Sequence, residues 1–457
     1  MKLLTLIAAM ALAPGPAFAH ASERMVIQTL PTGWYMLGAG LAVAITALAI
    51  PFLRHLPKVR ATCLFERPRL LPPGVTNWLA FGLFWVLVAV GLSGTPDPKE
   101  NLLPLTVWTV IWVGMTLAVA LLGNLWHDID PWRAPVGLLR AALSRWLPQK
   151  GIGLSRLEHW PAVLGYLSFA WFETVSLAPS DPAHLARVAA SYYLLVLILA
   201  VLEGEDWPPR GEFLNAYFAL VSRVAPFWAE PRGDRLRIMA ALPGWRIPTL
   251  PPLSVSAMAF VTLVLSSVTF DGLSETFLWA GWIGVNPLEY PGRSAVMGVN
   301  TAGLVAVWAA ASALVLGAIA LSLPGGRSRH VAGPLMLSLL PIAAGYHIAH
   351  YFVALLTDGQ YVLAALNDPF GRGWSLLGLP EHWVSFGFLS TRSGVLAIWS
   401  FQFAVILVAH LAAVIVHHSV WRGLHLPQTL TAQLPMTALM VAYTILGLWL
   451  LSAQTIG

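Results

Sequence analysis

Charge is what this chain has least of. Lys, Arg, Asp and Glu make up 10% of its 457 residues, against about 25% in ordinary soluble domains. Too few charges remain to clothe a water-facing surface, and with 57% hydrophobic residues and a mean hydropathy of +0.71 most side chains must meet lipid or other helices. Cysteine is nearly absent: Cys63 stands alone, which excludes an intrachain disulfide, a CxxC redox pair and a cysteine-built zinc or iron–sulfur site. No polar stretch is long enough for a separate soluble domain. There is no P-loop, no GxGxxG after a strand, no HExxH and no serine nucleophile elbow. The net charge of +5 does not imply nucleic acid, because the basic residues sit in short segments between apolar runs, where membrane orientation and anionic lipid account for them.

What the chain does have is ten long apolar stretches, at 32–53, 76–93, 103–123, 160–178, 183–203, 254–270, 297–322, 332–357, 393–418 and 433–452. A spanning helix needs about 20 mostly apolar residues, so the fold class expected is all-α: a polytopic transmembrane bundle of about ten spans. The segments 54–75, 124–159, 204–253, 323–331 and 419–432 hold nineteen Lys and Arg, among them Arg54, Lys58, Arg60, Arg133, Arg140, Arg235 and Arg327. The opposite side holds six: Arg24, Lys99, Arg187, Arg293, Arg372 and Arg392. Basic loops stay cytoplasmic. Residues 1–19 run from Lys2 through an apolar stretch to Ala17-Phe18-Ala19, which fits a cleavable secretory signal. Both signals give the same expectation: a bacterial cytoplasmic (inner) membrane protein, 20–457 forming one membrane domain with both ends outside and His20 as the first mature residue.

Two basic loops carry amphipathic segments. Leu139, Leu143, Trp146 and Leu147 share a face in 136–147, as do Phe213, Tyr217, Val221 and Val224 in 213–224, and both are expected to lie in the interface as short helices. Each follows a similar punctuation, Asp130-Pro131-Trp132-Arg133 and Asp206-Trp207-Pro208-Pro209-Arg210, a weak echo of the internal repeats that transporters carry. The longer outer connections, 271–296 and 358–392, are rich in Trp, Gly and turn residues. They suit either an aromatic interface belt or a cover over the helix ends.

Ionisable residues inside hydrocarbon are costly and mark function or a buried partner. His347 and His350, in Gly345-Tyr346-His347-Ile348-Ala349-His350-Tyr351, share a helical face. By the rise of 1.5 Å per residue they lie roughly 15 and 11 Å from an outer end near 357, with Gln402 roughly 13 Å and Glu173 about 8 Å deep. These four form an expected polar layer in the outer half of the membrane. His410, about 25 Å deep, falls outside it, which disfavours a bis-histidine haem on His347 and His410. Two alternatives stand for the layer: a metal or proton site of His347, His350, Glu173 and His20, since imidazole and carboxylate suit zinc, copper or iron, or histidines that merely bond between helices. Tyr346, Tyr351, Gln402, Asp358 and Asp271 are the residues expected to line a path to it, with Asp271, Glu275, Asp358 and Asp368 as acidic groups at outer helix ends, either drawing cations in or simply solvated. His417 and His418 are placed at a helix end where positive charge is favourable, and Met36 and Met297 as packing residues.

Phe270-Asp271-Gly272-Leu273-Ser274, His350-Tyr351-Phe352 and Asn367-Asp368-Pro369-Phe370-Gly371-Arg372-Gly373-Trp374 resemble stretches of a group of bacterial multi-span membrane proteins. The likeness covers most of the chain, implies the multi-span bundle and carries no activity. The Ala-x-Ala/His junction alone is similar to that of periplasmic copper-resistance proteins. The function expected is a transporter or permease-like protein handling a small cation, a metal such as copper included. The alternatives are a non-transporting subunit or assembly factor of a metal-dependent complex, working with another membrane or periplasmic protein, and an intramembrane redox or haem protein.

Overall fold

A computed structural model of the protein describes residues 32–50, 61–148, 151–286, 292–323, 328–380 and 383–453. The signal segment and His20 lie outside the described residues. The elements used below are α1 (Thr32–Ala49), β1 (Thr62–Pro68), α2 (Pro73–Ser93), α3 (Leu102–Leu122), α4 (Arg133–Ala142), α5 (Trp160–Thr174), α6 (Pro182–Glu203) and α7 (Phe213–Val221). They continue with β2 (Phe227–Arg232), β3 (Arg235–Ala240), α8 (Val255–Ser274), α9 (Phe277–Trp282), α10 (Arg293–Ser322), α11 (Ser328–Met336), α12 (Leu340–Asn367), α13 (Arg392–Gly423) and α14 (Leu430–Ser452).

The protein is a multi-pass membrane protein of the all-α class. Among the described residues nine helical segments are long and apolar enough to cross a bilayer. The tenth apolar stretch is present as α5, but at 15 residues it is shorter than the 160–178 expected. Helix starts follow local chemistry. Asp181 caps α6 through the His184 N–H at 2.6 Å, with Pro182 in the first turn, while Ser254, Thr276 and Thr391 cap α8, α9 and α13. A side-chain oxygen at each of these positions satisfies an amide that the helix itself leaves orphaned.

Small residues bring α12 and α13 close. A Cβ on Gly345 would stand 2.4 Å from the Cβ of Ala409, so only glycine permits that approach. Helix α12 is longer than expected. Its 28 residues span about 42 Å at 1.5 Å each, more than the roughly 30 Å of hydrocarbon. Asp358 is therefore helical, and it pairs with Lys99 at 2.6 Å.

The basic segments gather at one end of the bundle. There the chain adds one small element to the helices, an antiparallel three-stranded sheet of order β1-β3-β2. Arg237, Arg235 and Arg232 surround Glu66 at 3.5, 3.8 and 2.9 Å. Trp228 on β2 is buried under Gly123, where a Cβ would come within 2.9 Å of it. Arg69 reaches Asp128 at 2.7 Å, and Glu203 accepts four N–H groups from residues 152–155 at 2.8 to 2.9 Å. These contacts tie the separate basic segments into one layer.

Two interfacial expectations change. Helix α4 ends at Ala142, short of the face drawn through Trp146, which is exposed. Helix α7 does not lie on a surface: Phe213, Tyr217, Phe218 and Val221 are all buried, and its ring stack runs into the bundle through Tyr166 and Trp112. His417 and His418 also differ from expectation. Helix α13 continues to Gly423, so both are buried within it and not at its end. Met36 and Met297 pack against the core as expected.

Candidate functional site

Two carboxylates stand in the last turns of α5 and α8, facing α12 at the end away from the sheet. Glu173 is the penultimate residue of α5, and Asp271 is three residues from the end of α8. Asp271, expected at an outer helix end, lies within α8, which runs on to Ser274 and carries it into the bundle. Gly272 makes the meeting possible, since a Cβ there would lie 3.3 Å from His350 and 3.5 Å from the Tyr346 hydroxyl. The adjoining Phe270 is wholly buried and packs edge-on against Trp279 of α9, whose indole donates to Asn300 at 2.9 Å.

Tyr351 joins the two acids. Its hydroxyl lies 2.9 Å from Asp271 Oδ2 and 3.1 Å from Glu173 Oε1. His350 Nε2 reaches the same Asp271 oxygen at 2.8 Å. Because that oxygen belongs to a carboxylate, the imidazole donates through Nε2. The His350 and Asp271 side chains are 15% and 17% exposed, so solvent reaches the network only narrowly. Arg293 closes the α5 terminus by donating to the carbonyls of Ser176 at 2.8 Å and Glu173 at 3.3 Å, as cations at helix C-termini do.

His347 lies one turn deeper and is fully buried. Its Nε2 donates to the Trp112 carbonyl at 2.9 Å, and a carbonyl can only accept, so the proton is on Nε2. Its Nδ1 has no partner. The ring is enclosed by Trp112 at 4.6 Å, Tyr351 at 4.8 Å and Tyr217 at 6.0 Å between centroids. Trp112 belongs to an 11-residue π-helical stretch, Leu105–Met115, inside α3, a winding that is rare and concentrated at functional sites. Its carbonyl also accepts from Thr116 Oγ1 at 2.6 Å, and Thr116 in turn meets the Tyr217 hydroxyl at 3.3 Å.

The expected polar layer is thus regrouped. Glu173 and His350 come together with Tyr351 and Asp271, but His347 engages a different helix and shares no ligand with His350. Gln402 donates to the Ala349 carbonyl at 2.8 Å and acts as an interhelical tie. The Tyr346 hydroxyl is buried without a partner, at the edge of the network. Asp358 is drawn away by Lys99, and Asp368 binds the amides of Arg372 at 2.9 Å and Gly373 at 2.6 Å. Those bonds, from the Arg372 amide first, hold the Asp368 carboxyl below the usual range, and they make the Asn367–Trp374 motif a self-bonded turn. His410 Nδ1 donates to the Ile406 carbonyl of its own helix at 2.9 Å, outside the network. Among the described residues no group of three His, Cys, Asp or Glu is placed to hold a metal ion. Trp112 and Thr116 are not singled out by the sequence, and Tyr217 only as part of the apolar face of 213–224.

The bundle and this buried acid–tyrosine–histidine network define a polytopic helical membrane protein with an ionisable intramembrane site. No family model, curated protein or solved structure matches the chain.

Proposed function

We propose that the protein is a permease-like protein of a bacterial cytoplasmic membrane that moves protons, or a small cation in exchange for them, through the Glu173–Tyr351–Asp271–His350 network. The observation that carries this is the double contact of Tyr351. A phenol has one hydrogen, yet its oxygen lies within hydrogen-bonding distance of two carboxyl groups. Asp271 Oδ2 takes the tyrosine proton together with that of His350. The remaining contact is satisfied when Glu173 carries a proton and donates it to the Tyr351 oxygen. A carboxyl that holds and releases a proton at the mouth of a buried chain is a relay group of the kind found in pumps and transporters. His347 Nδ1 is the next basic atom inward. A metal cargo finds no ligand set among the described residues, so copper is not favoured.

In liposomes under an imposed pH gradient, the protein is expected to move protons, and Glu173→Gln to stop them. Infrared spectra at neutral pH are expected to show a protonated carboxyl band that Glu173→Gln removes. Absence of both flux and band overturns the proposal, and retention of copper or zinc with metal-dependent flux replaces it with a metal cargo.

The charge asymmetry of nineteen against six basic residues supports an orientation with the sheet in the cytoplasm and the network in the outer half of the membrane. Cys63, the sole cysteine, is exposed on β1 and needs no mutation to report on this. An impermeant thiol reagent is expected to label it in inverted vesicles and not in intact spheroplasts, and the reverse pattern inverts the topology.

A further inference from the structure

A second site lies on the other side of α8. Residues 269 and 273 stand about 200° and 160° around the helix from Asp271 at 100° per residue, and they border an apolar cavity of about 240 Å³ between α8, α10, α12 and α14. We propose that one acyl chain of a bilayer phospholipid occupies this cavity.

The walls decide the chemistry of the occupant. The depth of the cavity is formed by Leu265, Val315 and Met440, each 3% exposed. The hydroxyls that border it bond the α8 backbone or one another: Ser266 donates to the Leu263 carbonyl at 3.1 Å, Thr269 donates to the Leu265 carbonyl at 2.9 Å, and Tyr443, within reach of that carbonyl and of Thr269 Oγ1, donates to one of them. The surface the walls present to the cavity is almost wholly apolar, and water without two or more polar partners does not settle in such a space. An apolar cavity of about 150 Å³ is enough to bind benzene, and this one is larger.

The rim decides where the occupant comes from. Leu314 of α10 borders the cavity and is 62% exposed. It continues an outward face of α10 that includes Leu321, one heptad on and also exposed, on a helix whose apolar length spans the bilayer. The cavity therefore meets hydrocarbon and not water. A partner helix, about 10–12 Å across, is too wide for it, whereas a single chain fits.

The test uses full-length protein in nanodiscs of phosphatidylethanolamine and phosphatidylglycerol containing a phospholipid with a diazirine in one acyl chain. After illumination, crosslinks are expected to concentrate several-fold in 265–273, 310–315 and 439–450 over the exposed lipid face of α6 at 194–198. Ala311→Phe, which fills the cavity, is expected to abolish that excess while labelling of α6 is unchanged. Leu265→Ala, which enlarges it, is expected to keep or raise the excess, so the proposal stays testable if the filled variant does not fold. Labelling no greater than at α6, or an excess that survives Ala311→Phe, overturns the proposal. So does an excess obtained with a diazirine-bearing free fatty acid and not with the phospholipid.

Discussion

Tyr351→Phe is expected to cut proton movement by about 10²–10⁴-fold, the range for loss of a positioned proton-transfer group, while leaving the protein folded. The substitution removes one oxygen and keeps the ring. Contacts of that ring with His347 at 4.8 Å and His350 at 4.7 Å persist, and the His350–Asp271 bond at 2.8 Å does not depend on it. What is lost is the hydroxyl that links Glu173 to Asp271. Loss of the hydroxyl should cost about 1–2 kcal/mol of stability at most. Proton flux in liposomes and the carboxyl infrared band are the readouts, with melting in detergent as the control. His410→Ala is the contrast. Its ring bonds only its own helix, so flux should stay near that of the unsubstituted protein. Equal loss in both variants, with melting unchanged, would show that the Tyr351 bridge is not the path.

The bundle was legible because its signal is compositional. Apolar length and alternating basic loops survive an error of a few residues at each helix end, and every drawn span corresponds to a helix. The sheet was not legible, because its strands lie far apart in the chain. Thr62 pairs with Ala240 and Pro68 with Arg235, and neither strand shows a clean alternation of apolar and polar residues. Helix α7 was read correctly as amphipathic but placed in the wrong environment. Its polar side does not meet water: Asn215 is buried and donates to Glu212 at 2.9 Å.

Half of the site was legible for a similar reason. Two histidines and a glutamate inside apolar runs stand out as costs that need an explanation. Asp271 is legible only as an acidic group at a helix end lining a path, because a charge ends an apolar window and puts the close of the span at residue 270. The depth arithmetic failed at the same place. With α12 continuing to Asn367, distance counted from 357 does not measure distance from water, and the level of Tyr351 is set by the partners it meets. The π-helical winding of Leu105–Met115 has no signature in this sequence, yet it underlies the carbonyl that fixes the His347 proton.

The largest loss of stability is expected from Glu212→Ala. This carboxylate is fully buried between α6 and α7, with no cation at its oxygens. Four donors hold it. The Tyr192 hydroxyl and the Leu214 amide reach Oε1 at 2.6 and 3.0 Å, and the Asn215 amide and side chain reach Oε2 at 2.7 and 2.9 Å. Two of the four are orphan amides of the α7 N-terminus, so the residue serves as a helix cap. Every acceptor direction is occupied, which marks it as structural and separates it from Glu173, whose hydrogen bond to Tyr351 leaves acceptor positions for proton exchange. Truncation to alanine loses a cap, worth about 0.5–2 kcal/mol, and strands buried donors at about 1–3 kcal/mol each. About 3–5 kcal/mol is expected, since the losses overlap. Glu212→Gln keeps one acceptor oxygen but turns an amide toward the other donors, so it should fall between the two. Because heat unfolding of membrane proteins is commonly irreversible, the measurement is the half-life of the monodisperse protein at fixed temperature. An alanine variant as long-lived as the unsubstituted protein would mean that α7 is held by its aromatic packing alone.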